Sequence, residues 1–327
     1  MKYNYVIFLP KNDFYWTSYS DLSQLDNCKV FRDIKARSKL LSFFCRIHHS
    51  QKINDIIELP FKSLWYKTFY DISFQEERPL CFVFFMGILE PLWKRKFVEY
   101  LRKQYPNAKF IGYYADLVNA PHRIVLNKPE ILSPLFDKLI NYDKEDASKY
   151  GMLYYPTAYS NVAKVEDCRE TNDVYFLGKA KDRLGKILSI YEQLTSVGLK
   201  CDFYLTGVPK AYRMQMKGLN YIEYMSYKDN IKHIQSSRCI LELMQNGAVG
   251  YTIRTWESVQ FDKCLITDNL SLLKSDFYND QYISFIKDGF VDVNYVKKYK
   301  KYNNPLKTKI RPEGFLNFIE KRLTEET

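Results

Sequence analysis

Short apolar runs alternate along the chain with longer segments in which apolar residues recur at helical spacing. The short runs predict strands over residues 5–9, 56–59, 80–85, 109–114, 138–142, 152–155, 173–177, 202–205, 239–243, 264–267 and 282–285. The longer segments predict helices, among them 92–105, 143–149, 184–197, 227–236 and 255–261. Alternation of this kind indicates parallel sheets flanked by helices, and it occurs once in each half of the chain.

A polar stretch without apolar periodicity, residues 161–172, separates the two halves. We therefore predict an N-terminal α/β domain over residues 1–160, a linker over 161–172 and a second α/β domain over 173–310. Residues 311–327 predict a C-terminal amphipathic helix. The fold class expected is two Rossmann-like α/β domains facing a cleft, an architecture that several chemistries share.

Composition adds an unusual aromatic content of 17% and a net charge of +11 over 327 residues. Hydrophobic residues at 46% exclude a disordered chain. Excess positive charge together with many aromatic side chains favours an anionic partner. The basic residues are spread over the whole chain, and no helix-turn-helix, finger or RNP motif occurs, so we do not expect nucleic acid to be that partner.

The sequence also bears on cellular compartment. The longest apolar run, residues 80–89, is much shorter than the roughly 18 residues of a membrane-spanning helix. The apolar stretch at residues 6–9 is too short for a signal-peptide core. The seven cysteines are widely spaced and form no C-x-x-C pair, which favours reduced thiols in a cytoplasmic protein and gives no indication of a zinc site.

The segment 173–187 has the pattern of a strand, a basic turn and a helix. Gly178 ends the predicted strand, and the turn holds Lys179, Lys181 and Arg183. Ligands of open α/β sheets bind beyond the carboxyl ends of the strands, and a helix N-terminus with nearby cations favours phosphate. The spacing is not that of a P-loop. A solvated basic loop without a ligand explains the same residues equally well.

The segment 241–259 also follows an apolar strand, and it contains a glycine-bearing loop and a helix start. Arg254 and Glu257 lie three positions apart and so project from one side of the first helical turn. Arginine can bind phosphate bidentately, and glutamate can accept two hydrogen bonds from a ribose diol. An exposed ion pair is the alternative interpretation, but the strand–loop–helix context favours a ligand site.

These two segments resemble the donor side of GT-B glycosyltransferases. The resemblance rests on G-x-x-x-R-x-x-E at 250–257 followed by F-D-K-C-L-I-T-D-N at 261–269, and on the segments 136–155 and 173–178. The segments 136–155 and 173–178 are similar to bacterial enzymes of capsule, exopolysaccharide and lipopolysaccharide-core synthesis. The likeness covers roughly residues 135–270, and the first 75 residues carry no matching motif.

The resemblance implies that Glu257 binds the ribose and that Arg254 contacts the diphosphate. The phosphate side of the cleft would be lined by Gly178, Lys179 and Arg183. The donor sugar or base would lie against Gln245, Gly247, Gly250 and Tyr251. Val249 stands where many retaining members have a second glutamate, so the stereochemical outcome stays open. No Asp-x-Asp motif occurs, which favours a reaction without metal or other cofactor.

An inverting reaction needs a general base from the first domain. Asp116, which follows the strand predicted at 109–114, is the first candidate, and Glu90 and His122 are the alternatives. A turn cap explains Asp116 equally well.

The first domain is expected to hold the acceptor, and the resemblance implies that the C-terminal helix at 311–327 packs back on this domain. Residues 35–47 place Leu40, Phe44 and Ile47 on one face of a basic helix. We interpret this face as core-facing, with contact to an anionic membrane as the alternative. The lysine-rich run 296–302 is interpreted either as a second contact to such a membrane or as a solvated turn. Under the membrane alternative, the acceptor is a lipid-linked saccharide at the inner membrane surface.

The function predicted is transfer of a sugar from a nucleotide sugar to a saccharide or lipid-linked saccharide during cell-surface polysaccharide synthesis. A cytoplasmic enzyme, peripheral on the membrane where the acceptor is lipid-linked, fits that function. A non-catalytic GT-B-like binding module is the alternative, followed by a nucleic-acid-binding protein.

Overall fold

The computed structural model describes residues 1–10, 12–31, 39–48, 50, 53, 56–57, 59–66, 72–85, 95–118, 129–165, 168–245, 250–299 and 303–325. The predictions for Glu90, His122 and Gly247 lie outside these residues. The chain divides into two compact units. Unit 1 comprises Met1–Pro156 and Pro312–Thr327, and unit 2 comprises Thr157–Arg311.

Each unit contains a six-stranded sheet in which all neighbouring strands are parallel. The strands of unit 1 are β1 Asn4–Phe8, β2 Cys28–Phe31, β3 Leu80–Phe85, β4 Lys109–Tyr114, β5 Lys138–Asn141 and β6 Leu153–Tyr154. Those of unit 2 are β7 Asn172–Lys179, β8 Cys201–Thr206, β9 Leu219–Tyr221, β10 Ser237–Glu242, β11 Cys264–Thr267 and β12 Ile283–Phe285. The predicted α/β class with two Rossmann-like domains is confirmed.

Helices connect most of these strands. In chain order they are α1 Asp13–Ser18, α2 Lys39–His48, α3 Ser63–Tyr66, α4 Arg95–Gln104, α5 Pro129–Leu132, α6 Lys144–Lys149, α7 Leu184–Ser196, α8 Tyr227–Gln235, α9 Ile253–Phe261, α10 Val293–Lys297 and α11 Pro312–Thr324. Local sequence sets several of their ends. Asp143 caps α6 by accepting from the N–H groups of Glu145 and Asp146, as a side-chain oxygen at a helix start does.

The sheet of unit 1 has the order β2-β1-β3-β4-β5-β6, and one of its faces packs through aromatic rings. Phe8 stacks on Phe84 at 4.8 Å between ring centroids, and Phe82 stacks on Phe110 at 4.9 Å. Much of the high aromatic content is therefore core. These four rings are buried and therefore not available to an anionic partner.

Helix α11 belongs to unit 1, although it follows unit 2 in the chain. Glu320 accepts hydrogen bonds from the backbone N–H of Lys2, and the Tyr5 hydroxyl donates to the carbonyl of Leu316 at 3.3 Å. The Phe315 ring lies 4.9 Å from the Tyr113 ring. The helix therefore covers part of the sheet of unit 1 with its apolar face.

The sheet of unit 2 has the order β12-β11-β10-β7-β8-β9. The chain leaves β7 toward β8 and β9 and then returns to form β10 on the opposite side of β7. This order has its topological switch point between β7 and β10, the position at which open α/β sheets bind ligands at the carboxyl ends of their strands.

Three parts of the sequence prediction differ from the structure. Residues 56–59 form no strand where they are described, and Ile56 and Ile57 are exposed. The short strands β2 and β9 were not predicted because each offers only a brief apolar signal. The core-facing interpretation of the helix at 35–47 is wrong for Leu40, Phe44 and Ile47, whose side chains are exposed on α2.

The length and apolar character of a helix decide whether it can span a bilayer. Within the part of the chain that the structure describes, no helix combines the length and apolar character needed to cross a membrane.

Candidate functional site

The switch point of unit 2 brings together the two segments that the sequence singled out. Strand β7 ends at Lys179 and continues into a 3₁₀ turn, Lys181–Arg183, directly before α7. Strand β10 ends at Glu242 and leads toward α9. Because β7 and β10 are parallel neighbours, both connections leave the same edge of the sheet.

Arg183 joins the turn after β7 to the residues that follow β10. Its guanidinium donates to the carbonyl of Leu243 and, at 2.6 Å, to the carbonyl of Lys179. Burial lowers the pKa of Arg183, while the nearby Asp182 and Asp268 act in the opposite direction. Arg183, which the sequence predicts to contact phosphate, therefore also has a structural role in shaping the turn.

Three lysines stand at the same edge. Lys179 is exposed and makes no salt bridge among the described residues. Lys181 Nζ donates to Gln245 Oε1 at 2.6 Å, which brings two of the segments into contact. Lys186, on the first turn of α7, donates to Asp268 at 2.6 Å. The cations therefore cluster near the N-terminus of a helix of 13 residues, where anions are favoured.

Asp268, which directly follows β11, connects a third strand exit to this edge. Its Oδ1 accepts from the backbone N–H of Met244 at 2.7 Å, while its Oδ2 accepts from Lys186. It thereby joins the exits of β10 and β11 to α7. No spacing rule links Lys186 to Asp268, which lie 82 positions apart.

The Arg254–Glu257 pair is buried rather than exposed. The two side chains form a salt bridge and are 13% and 0% exposed. Burial by itself lowers the pKa of Arg254, but Glu257, with contributions from Tyr175 and Tyr227, offsets this and raises the pKa overall. The guanidinium also donates to the carbonyl of Leu177 and to Asn230 Oδ1, each at 3.1 Å. Arg254 is therefore held in one orientation beside β7.

Both carboxylate oxygens of Glu257 already accept hydrogen bonds within unit 2. Oε1 accepts from the Tyr227 hydroxyl at 2.8 Å and from Asn230 Nδ2 at 2.9 Å, and Oε2 accepts from Arg254. Tyr159 lies behind this group, with its hydroxyl 2.6 Å from that of Tyr227. A contact from Glu257 to ribose stays a prediction, and it requires a local rearrangement because the Glu257 side chain is 0% exposed.

A second buried carboxylate fixes the start of α9. Glu242 accepts from the hydroxyls of Thr252, Thr255 at 2.9 Å and Thr267 at 2.5 Å. Burial raises the pKa of Glu242, and the three hydroxyls act in the opposite direction. Thr252 is also the N-cap of α9 and accepts from the Arg254 N–H. Glu242 is a site residue that the sequence does not reveal, since a glutamate inside an apolar strand gives no local signal of its partners.

Gly250 and Tyr251 border this helix start. The backbone φ of Gly250 is +123°, a value that glycine adopts without strain, and its carbonyl accepts from Asn269 Nδ2 at 2.7 Å. The Tyr251 ring packs against Trp256, with 5.1 Å between ring centroids. Burial raises the pKa of its hydroxyl. Tyr251 is therefore anchored by aromatic packing, and its contact with a donor stays a prediction.

Of the predicted site residues, Gly178, Lys179, Arg183, Gln245, Gly250, Tyr251, Arg254 and Glu257 all lie in unit 2. Asp116 lies in unit 1, two residues after β4, and is half-buried. Its Oδ1 accepts from the N–H of Leu117 at 2.9 Å, which is a turn-like contact. This contact agrees with the cap interpretation and leaves the role of general base a prediction.

A metal site needs several ligating side chains close together. Across the described ranges, no group of three or more His, Cys, Asp or Glu side chains is placed to hold a metal ion. The expectation of a reaction without metal stays a prediction.

Comparison with known proteins shows the fold. No family model matches the chain, and no curated protein is similar to it in sequence. Sucrose-phosphate synthase from Thermosynechococcus elongatus is similar in structure, with a TM-score of 0.53, 8% identity and 99% of each chain covered. An α-glucosyltransferase in complex with UDP and a 13-mer DNA has a TM-score of 0.53 and 9% identity, covering 98% of this chain and 99% of that one. The chain therefore has the two-domain GT-B fold.

Proposed function

We propose that the protein is a glycosyltransferase that moves a sugar from a nucleotide-sugar donor, with UDP as leaving group, to a hydroxyl of its acceptor. The observation that carries the proposal is the set of cations at the switch point of unit 2, where Lys179, Lys181 and Lys186 surround the start of α7 and Arg254 is fixed beside β7. Two solved structures with the same fold hold UDP, one of them in complex with DNA.

The chemistry follows from where charge develops. As the glycosidic bond breaks, negative charge grows on the leaving diphosphate, and preorganised cations stabilise it most effectively. Arg254 needs no reorientation for this, because Glu257, Asn230 and the Leu177 carbonyl hold its guanidinium. The acceptor hydroxyl loses its proton to a general base, for which we propose Asp116. We propose that no metal takes part.

For the acceptor we propose a saccharide of cell-surface polysaccharide synthesis, in free or lipid-linked form. The support is the resemblance of residues 136–155 and 173–178 to bacterial enzymes of that type. A lipid-linked acceptor would bring the enzyme to the inner membrane surface.

Calorimetric titration with UDP tests the donor site. We expect UDP to bind in the presence of EDTA, and the variants Lys179→Gln and Lys181→Gln to weaken binding by about tenfold each, since a charge-assisted hydrogen bond contributes about 1.5–3 kcal/mol. Lys210→Gln is the matched control, because Lys210 is an exposed lysine after the neighbouring strand β8. Equal affinity in all three variants would contradict the proposed donor site.

DNA is the second candidate acceptor. The observation in its favour is that solved α-glucosyltransferases of the same fold are in complex with DNA, while this chain carries a net charge of +11. Transfer from radiolabelled UDP-glucose to a DNA duplex, compared with transfer to a set of oligosaccharide glycosides, distinguishes the two acceptors. Label on the duplex alone would contradict the saccharide acceptor but leave the donor site standing.

A further inference from the structure

Helix α2 presents its apolar stripe to solvent. Leu40, Phe43, Phe44 and Ile47 follow the spacing i, i+3, i+4, i+7 of one helical face, and their exposure ranges from 39% to 66%. Among the side chains of this helix that the structure describes, Cys45 is the buried one. An amphipathic helix on a globular domain ordinarily has the opposite orientation, with its apolar stripe toward the core.

A second exposed apolar segment follows α2 in the chain and is joined to the end of this helix. Ile56, Ile57 and Phe61 are exposed by 65% to 83%. His48, at the end of α2, accepts from Trp65 Nε1–H at 2.6 Å, and its other ring nitrogen lies 2.7 Å from the carbonyl of Pro60. These contacts tie the end of α2 to the segment that carries Phe61.

The two segments also line one apolar groove of about 550 Å³, whose walls include Leu41, Leu59, Pro60, Phe61 and Leu64. We name Leu40, Phe43, Phe44, Ile47, Ile56, Ile57 and Phe61 the apolar patch. Exposed apolar surface of this kind marks an interaction site.

The net charge of the sequence that carries the patch favours an anionic partner. Between residues 32 and 67 the sequence has eight Lys or Arg and three Asp or Glu. Arg46 is exposed on α2 itself. A helix with aromatic and aliphatic residues on one face and cations beside it lies in the interface of an anionic bilayer, its apolar face among the acyl chains and its cations at the headgroups.

A second copy of the chain fits less well. A twofold interface brings the same patch of both copies together, so the exposed Arg46 on α2 of each copy would be brought toward the other. Like charges at such an interface are repulsive, whereas anionic headgroups neutralise them.

We propose that the apolar patch is a membrane-docking surface that inserts into the interface of an anionic lipid bilayer. This proposal depends on the surface of unit 1 and does not require the proposed sugar transfer. It places the protein at the site where a lipid-linked acceptor would be presented.

Vesicle co-sedimentation tests the proposal. The full chain is mixed with phosphatidylcholine vesicles, with or without about 30% phosphatidylglycerol, an anionic lipid. We expect it to sediment with the anionic vesicles, and less so in about 0.5 M salt, which screens the charges. The double variant Phe43→Ser/Phe44→Ser should bind at least about tenfold more weakly, because it removes two large apolar side chains from the insertion.

Phe290→Ser is the matched control, since Phe290 is 68% exposed in unit 2 and outside the patch. We expect it to bind vesicles as the unchanged protein does. Because both substituted phenylalanines of the patch are exposed, the double variant should keep its melting temperature and its UDP affinity. Retained UDP binding separates the docking surface from the donor site.

Three results would overturn the proposal. The first is that the unchanged protein fails to sediment with anionic vesicles. The second is that the double variant binds them as well as the Phe290 control. The third is that light scattering shows the unchanged protein to be a dimer that does not bind vesicles, and the double variant to be a monomer. This result would assign the patch to a second copy of the chain.

Discussion

The buried Arg254–Glu257 pair allows a sharp test, because the chain contains a matched exposed pair. Arg322 and Glu325 have the same residue types at the same i, i+3 spacing, but each is 43% exposed. In the buried pair the exposure is 13% and 0%. The substitution Glu→Gln therefore removes the same charge from two pairs that differ in their contact with water.

The expected magnitudes differ widely. Glu257→Gln leaves the Arg254 charge buried without its carboxylate partner. It also replaces one of the two accepting oxygens by an amide N–H₂ group, which cannot accept a hydrogen bond from the surrounding donors. Together these changes cost about 3–5 kcal/mol of folding free energy. Glu325→Gln costs at most about 1 kcal/mol, since water solvates both groups. At about 2–4 °C per kcal/mol for units of this size, Glu257→Gln should lower the melting temperature by at least about 6 °C.

Urea unfolding of both variants, followed by circular dichroism, measures the two losses. The double variant Arg254→Met/Glu257→Gln is the third arm. It removes both charges and should recover at least half of the loss, because an apolar side chain of similar length needs no counter-charge. Equal losses for Glu257→Gln and Glu325→Gln, or no recovery in the double variant, would refute the view that a buried charge pair holds Arg254 in place.

Three further predictions concern other parts of the molecule. Asp116→Asn should abolish sugar transfer and leave UDP affinity unchanged, as measured by transfer assays and calorimetry. Turnover equal to that of the unchanged protein would exclude Asp116 as the base. Gly218→Ala should destabilise unit 2 by at least about 2 kcal/mol in urea unfolding, since φ is +85° and an added Cβ would lie 2.1 Å from the Cys201 carbonyl oxygen. Asp262→Asn should flatten the acid limb of the pH–stability curve measured by thermal unfolding.

The sign of the last effect follows from the surroundings of Asp262. Burial alone would raise its pKa, but hydrogen bonds from Lys307 at 2.6 Å, from the Asn304 N–H and from Lys164 lower it overall. A lowered folded-state pKa adds stability above the unfolded value of about 3.9, and this contribution is lost as the pH falls through the folded value. The unchanged protein should therefore lose stability over that acid window, and a variant with the same slope would contradict the argument.

The sequence predicted most strands because parallel strands buried on both faces are nearly continuous apolar runs. Residues 80–85, 109–114 and 264–267 coincide with β3, β4 and β11. The run at 56–59, I-I-E-L, is also largely apolar but forms no strand where it is described, and Ile56 is exposed. Apolar character alone does not say whether a segment faces the core or a partner, and α2 shows the same ambiguity for a helix.

The candidate site could be predicted as far as its strand exits and no further. Basic residues after β7 and the Arg–Glu pair on α9 are visible as local patterns. Asn230 and Tyr227, which complete the surroundings of Glu257, lie on α8, and only the packing of α8 on the sheet brings them there. Partners of this kind are set by tertiary structure, which no local spacing encodes.

The site combines one fixed cation with several adjustable ones, and this difference bears on the proposed chemistry. Arg254 reaches a carboxylate, an amide oxygen and a backbone carbonyl at once, which requires the planar fork of a guanidinium. Lys179, at the end of β7, and Lys181, on the turn that follows, are both exposed and can follow a ligand as it binds. In the proposed reaction, the lysines would therefore contribute mainly to nucleotide affinity. Arg254, already oriented, would stabilise the charge that develops on the leaving group without paying reorganisation energy.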